Sequence, residues 1–259
     1  MNQAMIVAIG GGRSYVPCGI PETFTIDQEI VRLAVSQNRR TPRVLFIPTA
    51  SGDDIDYCNG IYSIYHLRLK CEYDYLRIVA DSLSYPQIRD KIAWADVVYV
   101  GGGNTIAMME IWRKHGVDKL LVEAYEHGIV MAGLSAGAIC WFDWGLSDSL
   151  KFSHPTNWKP VPVRGLGLLP FGCSPHHDSE GWRRLAFEKA VKECRGLGVT
   201  IEDNCAFEVV GNRFRFIESQ PNKGGSFLRW IPPENLARYP FLFNGRRRYH
   251  TLEEVCPRS

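Results

Sequence analysis

The chain has 259 residues, 45% apolar and 22% charged, which is ample for a buried core. Thirty Lys and Arg against 28 Asp and Glu leave a formal charge of +2, so no global field points to nucleic acid or an anionic membrane. No apolar run approaches the ~18 residues of a membrane-spanning helix, and the opening MNQAMIVAIGGG lacks the basic region of a signal peptide.

Eight cysteines, at 18, 58, 71, 140, 173, 194, 205 and 256, contain no C-x-x-C pair. That argues against a zinc ribbon or a dithiol redox site and for reduced thiols, several of them in the core of a cytoplasmic protein. With no repeat, low-complexity tract or clear linker, one domain over 1–259 is expected, the last forty or so residues covering it.

Met5–Ile9 is a buried-strand run that stops at Gly10-Gly11-Gly12. Ile26–Ser36 puts its apolar residues on one helical face, with Thr25 as its N-cap. Arg43–Pro48 is the next strand, followed by a helical stretch to about Leu69. Glu72–Val79 alternates like a strand, Tyr85–Trp94 is helical, and Asp96–Val100 is a strand broken by Gly101-Gly102-Gly103-Asn104. Thr105–His115 is an amphipathic helix closed by Gly116. Asp118–His127 is another, with Asp118 as its cap, and Ile129–Leu134 is a buried strand running into Ser135. Such β-α-β alternation with all-apolar strands predicts a mostly parallel sheet with helices on both faces and right-handed crossovers. Beyond residue 150, Val163–Leu169, Gly172–His176 and Gly198–Ile201 read as strands and Glu180–Glu193 as a helix. Phe207–Val210 and Arg213–Ile217 flank a Gly211-Asn212 hairpin turn.

Gly133-Leu134-Ser135-Ala136-Gly137 fits G-x-S-x-G, with a strand before it and a helix start after it. A tight strand-to-helix turn lifts the serine hydroxyl above the carboxyl edge of the sheet and aims the following N–H groups at the same point. The plainer reading is a close-packed junction of small residues. A serine nucleophile needs a base, and four histidines follow it: His154, His176, His177 and His250. His176, after Ser174-Pro175 at the end of a strand, stands where a sheet-edge site collects its groups. His177 should point the other way, and His176, His177 and Asp178 match no common zinc spacing. A carboxylate must orient the imidazole; Glu202, Asp203 and Asp148 are all in range. The Gly101–Gly103 loop offers bare N–H groups for an oxyanion. Neither glycine triplet matches a dinucleotide or P-loop pattern.

IVAIGGG, VYVGGGNT at 98–105, AGLSAGAICWF at 132–142, SPHH at 174–177 and IEDNCAF at 201–207 together resemble the dipeptidase E (aspartyl dipeptidase) family of serine peptidases, which includes cyanophycinase-like members. The resemblance covers roughly the first 220 residues. It implies a flavodoxin-like α/β three-layer fold related to class I glutamine amidotransferases, plus a C-terminal hairpin, and no metal or cofactor. By position it implies Ser135 as nucleophile, His176 as general base and Glu202 as the acid, with Asp203 one residue away as the alternative. It further implies an oxyanion hole from the N–H groups of Gly102 and Ala136, and an active-site aspartate at Asp148. An N-terminal aspartate of the substrate would be read by Arg183 or Arg184. The expectation is a cytoplasmic exopeptidase for short peptides, a monomer or homodimer that binds neither nucleic acid nor membrane. The alternatives are an esterase or amidase of the same fold or an inactive ligand-binding relative; a cysteine amidotransferase-like enzyme is disfavoured, because serine holds the corner and Cys140, five residues on, would lie within the helix.

Overall fold

The apolar runs of the first half become strands of one sheet in a computed structural model of the protein. It describes residues 3–16, 19–36, 41–194, 196–221, 223–229 and 249–252. In chain order these elements are β1 (Met5–Ile9), α1 (Phe24–Val35), β2 (Arg43–Ile47), α2 (Ile55–Tyr62), β3 (Glu72–Tyr75), α3 (Tyr85–Trp94), β4 (Val97–Val100), α4 (Thr105–His115), α5 (Val117–Glu126) and β5 (Val130–Leu134). β3, β2, β4, β5 and β1 lie side by side and parallel. Side chains alternate across a sheet, and in β1, β4, β5 and nearly all of β2 both faces are buried; β3, at the edge, is partly exposed. Ile6, Leu45, Val98 and Met131 pack on one face with α3, α4 and α5; Val7, Phe46, Tyr99 and Ala132 pack on the other with α1 and α2.

The second half holds α6 (Ala136–Ile139), β6 (Phe142–Ser147), β7 (Val161–Arg164), β8 (Leu169–Ser174), α7 (Arg183–Cys194), β9 (Leu197–Ile201), β10 (Cys205–Val210), β11 (Arg213–Glu218), β12 (Gly225–Arg229) and β13 (His250–Thr251). β10 pairs antiparallel with β1 and extends the first sheet through β11 and β13 to eight strands. The hairpin turns at Gly211, whose φ of 61° suits the first central position of a two-residue loop. A second sheet, ordered β12-β9-β8-β6-β7, shares the core formed by Phe142, Phe171, Val199 and Phe207. α7 covers the far side of that sheet through Phe187, Ala190 and Val191.

Several local expectations are corrected. Residue 23, not Thr25, precedes α1, and the Thr23 hydroxyl donates to Asp27 at 3.0 Å. Asp118 lies inside the first turn of α5, which starts after Gly116 in a left-handed conformation (φ 72°). β3 ends at Tyr75, short of Val79, because Asp53 Oδ2 takes the N–H groups of Val79 (2.6 Å) and Ala80 (3.0 Å) and turns the chain. The helix after Ser135 is a single turn; Phe142–Ser147 leaves it as a strand of the second sheet. The covering segment expected of the last forty residues falls mostly outside the described residues, as do Cys18 and Cys256. Among the described residues, no helix is long and apolar enough to cross a membrane.

Candidate active site

β5 ends at Leu134 and α6 begins at Ala136, so Ser135 alone makes the corner. Its backbone takes φ 59° and ψ −109°, a region that costs an L-residue about 1–3 kcal/mol. Neighbouring hydrogen bonds hold it there. Ser135 N–H donates to Ile9 O at 3.0 Å, and its carbonyl accepts from Ala138 (2.9 Å) and Ile139 (3.0 Å). The flanking small residues answer to crowding: a Cβ on Gly133 would fall on the Gly137 carbonyl, and one on Gly137 on the Val100 carbonyl. Ser135 is half-buried at the carboxyl edge of the sheet, between the ends of β1 and β4.

His176 reaches this corner from the turn after β8. Its Nε2 lies 2.9 Å from Ser135 Oγ, and its Nδ1 lies 2.6 Å from Asp203 Oδ1. A carboxylate can only accept, so Nδ1 carries the proton and Nε2 presents a lone pair to the serine hydroxyl. The backbone that carries the ring is anchored, since His176 N–H donates to Gly10 O at 3.1 Å. His176, too, is left-handed, with φ 52°. Burial would raise the Asp203 carboxyl. The hydrogen bond and charge of His176, helped by Ser179 and Lys223, outweigh it and hold Asp203 below the usual carboxylate range.

Asp203, rather than the expected Glu202, therefore stands against the imidazole. The cause is the turn at the end of β9, closed by Cys205 N–H to Glu202 O at 3.3 Å with Asn204 at φ 62°. Asp203 occupies the corner facing β1, while Glu202 Oε2 accepts from Gly224 N–H at 3.2 Å beside β12. Space for the His176–Asp203 pair comes from Gly11, where a Cβ would fall on both Asp203 Oδ1 and His176 Nδ1.

The second triplet serves differently. A Cβ on Gly102 would lie 3.4 Å from Ser135 Cβ, so this residue borders the nucleophile's side chain, and its N–H donates to Tyr57 Oη at 3.4 Å. The N–H of Ala136 opens α6, where first-turn amides have no carbonyl four residues back to bond. By contrast, the amides opening α4 are occupied: Asn104 Oδ1 takes Ala107 N–H at 3.1 Å and Ser149 Oγ takes Ile106 N–H at 3.2 Å.

Other expected residues lie apart from this arrangement. Arg183 is 2% exposed, bonded to Glu180 and to the Leu146 carbonyl (2.9 Å), with Asp148 3.9 Å away. Asp148 also pairs with Lys151. A guanidinium so enclosed serves the fold rather than a substrate carboxylate. Arg184 projects outward to Glu188 at 3.3 Å. His177 Nδ1 turns to Ser174 Oγ at 3.1 Å, and Asp178 to Asp203 N–H and Lys223. The His176-His177-Asp178 run thus diverges, as adjacent side chains do. Cys140 is buried at the end of α6, donates to Gly137 O, and is pushed well above the usual thiol range by burial. Two residues that border the site, Gly11 and Tyr57, receive no role from the sequence alone. The first carried a usable signal, a glycine triplet at a strand's carboxyl end; Tyr57, a single tyrosine on a helix, carried none.

The model of peptidase family S51 matches residues 5–217. The chain belongs to that family. It is 34% identical over 241 residues to the uncharacterized peptidase YgaJ of Bacillus subtilis, covering 91% of this chain and 96% of that one. Peptidase E of Citrobacter koseri is 29% identical over 147 residues, covering 54% and 60%. The crystal structure of a peptidase from an acI-B1 actinobacterium superposes with a TM-score of 0.71 at 16% identity, covering 96% of this chain and 97% of that one. That likeness shows the fold, a flavodoxin-like α/β architecture with a mostly parallel sheet between helices. Membership makes the S51 chain a peptidase of the dipeptidase E kind, a hydrolase of peptide bonds.

Proposed function

We propose that this S51 peptidase is a serine exopeptidase for short peptides, with Ser135 as nucleophile, His176 as general base and Asp203 as the orienting acid. The observation that carries the reading is the continuous chain from Ser135 Oγ to His176 Nε2 (2.9 Å) and from His176 Nδ1 to Asp203 (2.6 Å). Hydrogen-bond contact between nucleophile, base and orienter is what proton transfer requires.

Ser135 Oγ bonds to the scissile carbonyl carbon as its proton passes to Nε2, and the carbonyl π pair moves onto oxygen. The N–H groups of Gly102 and Ala136 receive that oxyanion. Collapse breaks the C–N bond, and the Nε2 proton leaves on the amine. Water then attacks the acyl-serine by the same route and restores the hydroxyl. Asp203 keeps the Nδ1–H tautomer and stabilises the imidazolium without taking its proton.

The resemblance of VGGGNT and GLSAG to the dipeptidase E family supports short peptides as substrates. Buried free thiols at Cys58, Cys71, Cys140, Cys173 and Cys205 support work in a reducing, cytoplasmic setting. The test is Ser135→Ala assayed on unblocked and N-acetylated dipeptides. We expect wild type to prefer unblocked substrates, and the variant to lose about 10⁴-fold or more in kcat with its thermal midpoint kept. An Ala variant near wild-type rate would refute the assignment.

A further inference from the structure

Tyr57 stands at the oxyanion side of the site without any role so far. Its ring is clamped edge-on against Phe46 (centroids 4.9 Å, 64°) and tilted on Tyr15 (5.4 Å), and a Cβ on Gly101 would lie 2.9 Å from its Cε1. Packing thus fixes where the hydroxyl sits. That place is beside Gly102 N–H, which donates to Oη at 3.4 Å, while Gly102 itself borders Ser135.

Resting on the proposed function, we infer that Tyr57 is a further catalytic residue: its hydroxyl donates a hydrogen bond to the oxyanion together with Gly102 and Ala136. Three observations lead there. First, 3.4 Å is long beside the usual ~2.9–3.0 Å of an N–H···O bond, so Gly102 N–H is only loosely engaged in the free enzyme. A charged oxygen, whose hydrogen bonds are roughly twice as strong, would take over that amide. Second, Oη accepts from Gly102 N–H and hydrogen-bonds the Ser14 hydroxyl, and its single proton is the one that a charged acceptor would draw to itself. Third, Tyr57 is half-buried with its hydroxyl in the enclosed part, where a hydrogen bond to a charged oxygen is stronger than in water.

Burial outweighs the hydrogen bonds from Ser14 and Gly102 and raises the phenol above its ordinary range, which favours the protonated, donating form of Oη. The balance of the step is unchanged. As the Oγ–C bond forms, the carbonyl π pair moves to oxygen, and the Tyr57 proton stays on Oη throughout.

The experiment is Tyr57→Phe, which keeps the ring and removes only the hydroxyl. On an unblocked dipeptide, kcat should fall about 10²-fold, the order of one oxyanion donor, with KM within about twofold. A peptide aldehyde, which adds Ser135 to form a tetrahedral adduct, should bind more weakly by a similar factor, and the thermal midpoint should stay. Unchanged kcat and aldehyde affinity in Tyr57→Phe, or a loss confined to KM, would overturn the role of Tyr57. Ser135→Ala run alongside separates the two readings. If that variant is inert while Tyr57→Phe is fully active, the Tyr57 role alone falls; if both are fully active, the serine mechanism falls with it.

Discussion

Two glycine triplets end the two strands that flank β5, and they do different work. Gly10–Gly12, after β1, is hemmed in by the turns that carry His176 and Asp203, and a Cβ on Gly11 would strike both of those side chains. Gly101–Gly103, after β4, has looser room at its centre. A Cβ on Gly102 meets Leu134 and Ser135 only at ordinary contact distance, 3.4 Å. The first triplet therefore matters for what it leaves space for, the second for the N–H it carries. A run of glycines at a strand's carboxyl end can mark either a close approach of side chains or a cradle of donors. Only the elements packed against it decide which.

Breaking the pair that the first triplet accommodates should have the largest effect. Asp203→Asn should lower kcat by about 10⁴-fold, as loss of the orienting carboxylate does elsewhere, whereas Glu202→Gln should stay within severalfold of wild type. Steady-state kinetics on one dipeptide decide it, and the reverse order would restore Glu202 as the acid. Gly11→Ala should come next, at about 10³-fold, by pushing His176 off Asp203. Gly102→Ala in the same assay should cost less than about tenfold, because the backbone N–H and its space survive; equal losses would erase the distinction between the triplets.

How much of this the sequence carried differs by element. The strands β1, β4 and β5 were legible because parallel strands buried on both faces are written as unbroken apolar runs. The Ser135 corner was legible because close backbone approach at Gly133 and Gly137 leaves only small residues there. Glu202 and Asp203 could not be told apart, because one residue of register in a turn reverses which side chain faces the histidine. The second sheet was harder still: Phe142–Ser147 follows a helix start with no turn signal between them, and its pairing with β8 depends on residues far along the chain. Arg183 looked like a substrate-reading cation because sequence does not report that Glu180, Asp148 and the Leu146 carbonyl enclose it.

That enclosure gives a smaller, different kind of prediction. Arg183→Met should lower stability by about 3–5 kcal/mol, the usual cost of stranding partners of a buried charge, measured by denaturant unfolding. It should shift KM for Asp-Xaa and Ala-Xaa dipeptides alike; a loss confined to Asp-Xaa would return Arg183 to substrate recognition.

A second effect on stability, dependent on pH, lies in α1. Asp27 is fully buried, accepts from Thr23 (3.0 Å) and Tyr65 (2.9 Å), and is raised to about 7, by burial first, against those two hydrogen bonds. A folded-state value above the unfolded one means that the folded chain holds a proton that the unfolded chain has lost. The stability tied to Asp27 is then full below about pH 4 and drains away as pH rises to about 7. Asp27→Asn should remove that slope, so the difference in unfolding free energy between variant and wild type should grow from pH 4 to 7 and level off above. A pH-independent difference would mean that Asp27 titrates normally.

The serine mechanism itself is tested most directly by treating the wild-type chain with a fluorophosphonate and locating the adduct by peptide mass spectrometry. The account predicts one phosphonylated residue, Ser135, with labelling slowed in Asp203→Asn. A modified residue elsewhere, or an unlabelled chain that still cleaves peptides, would contradict it.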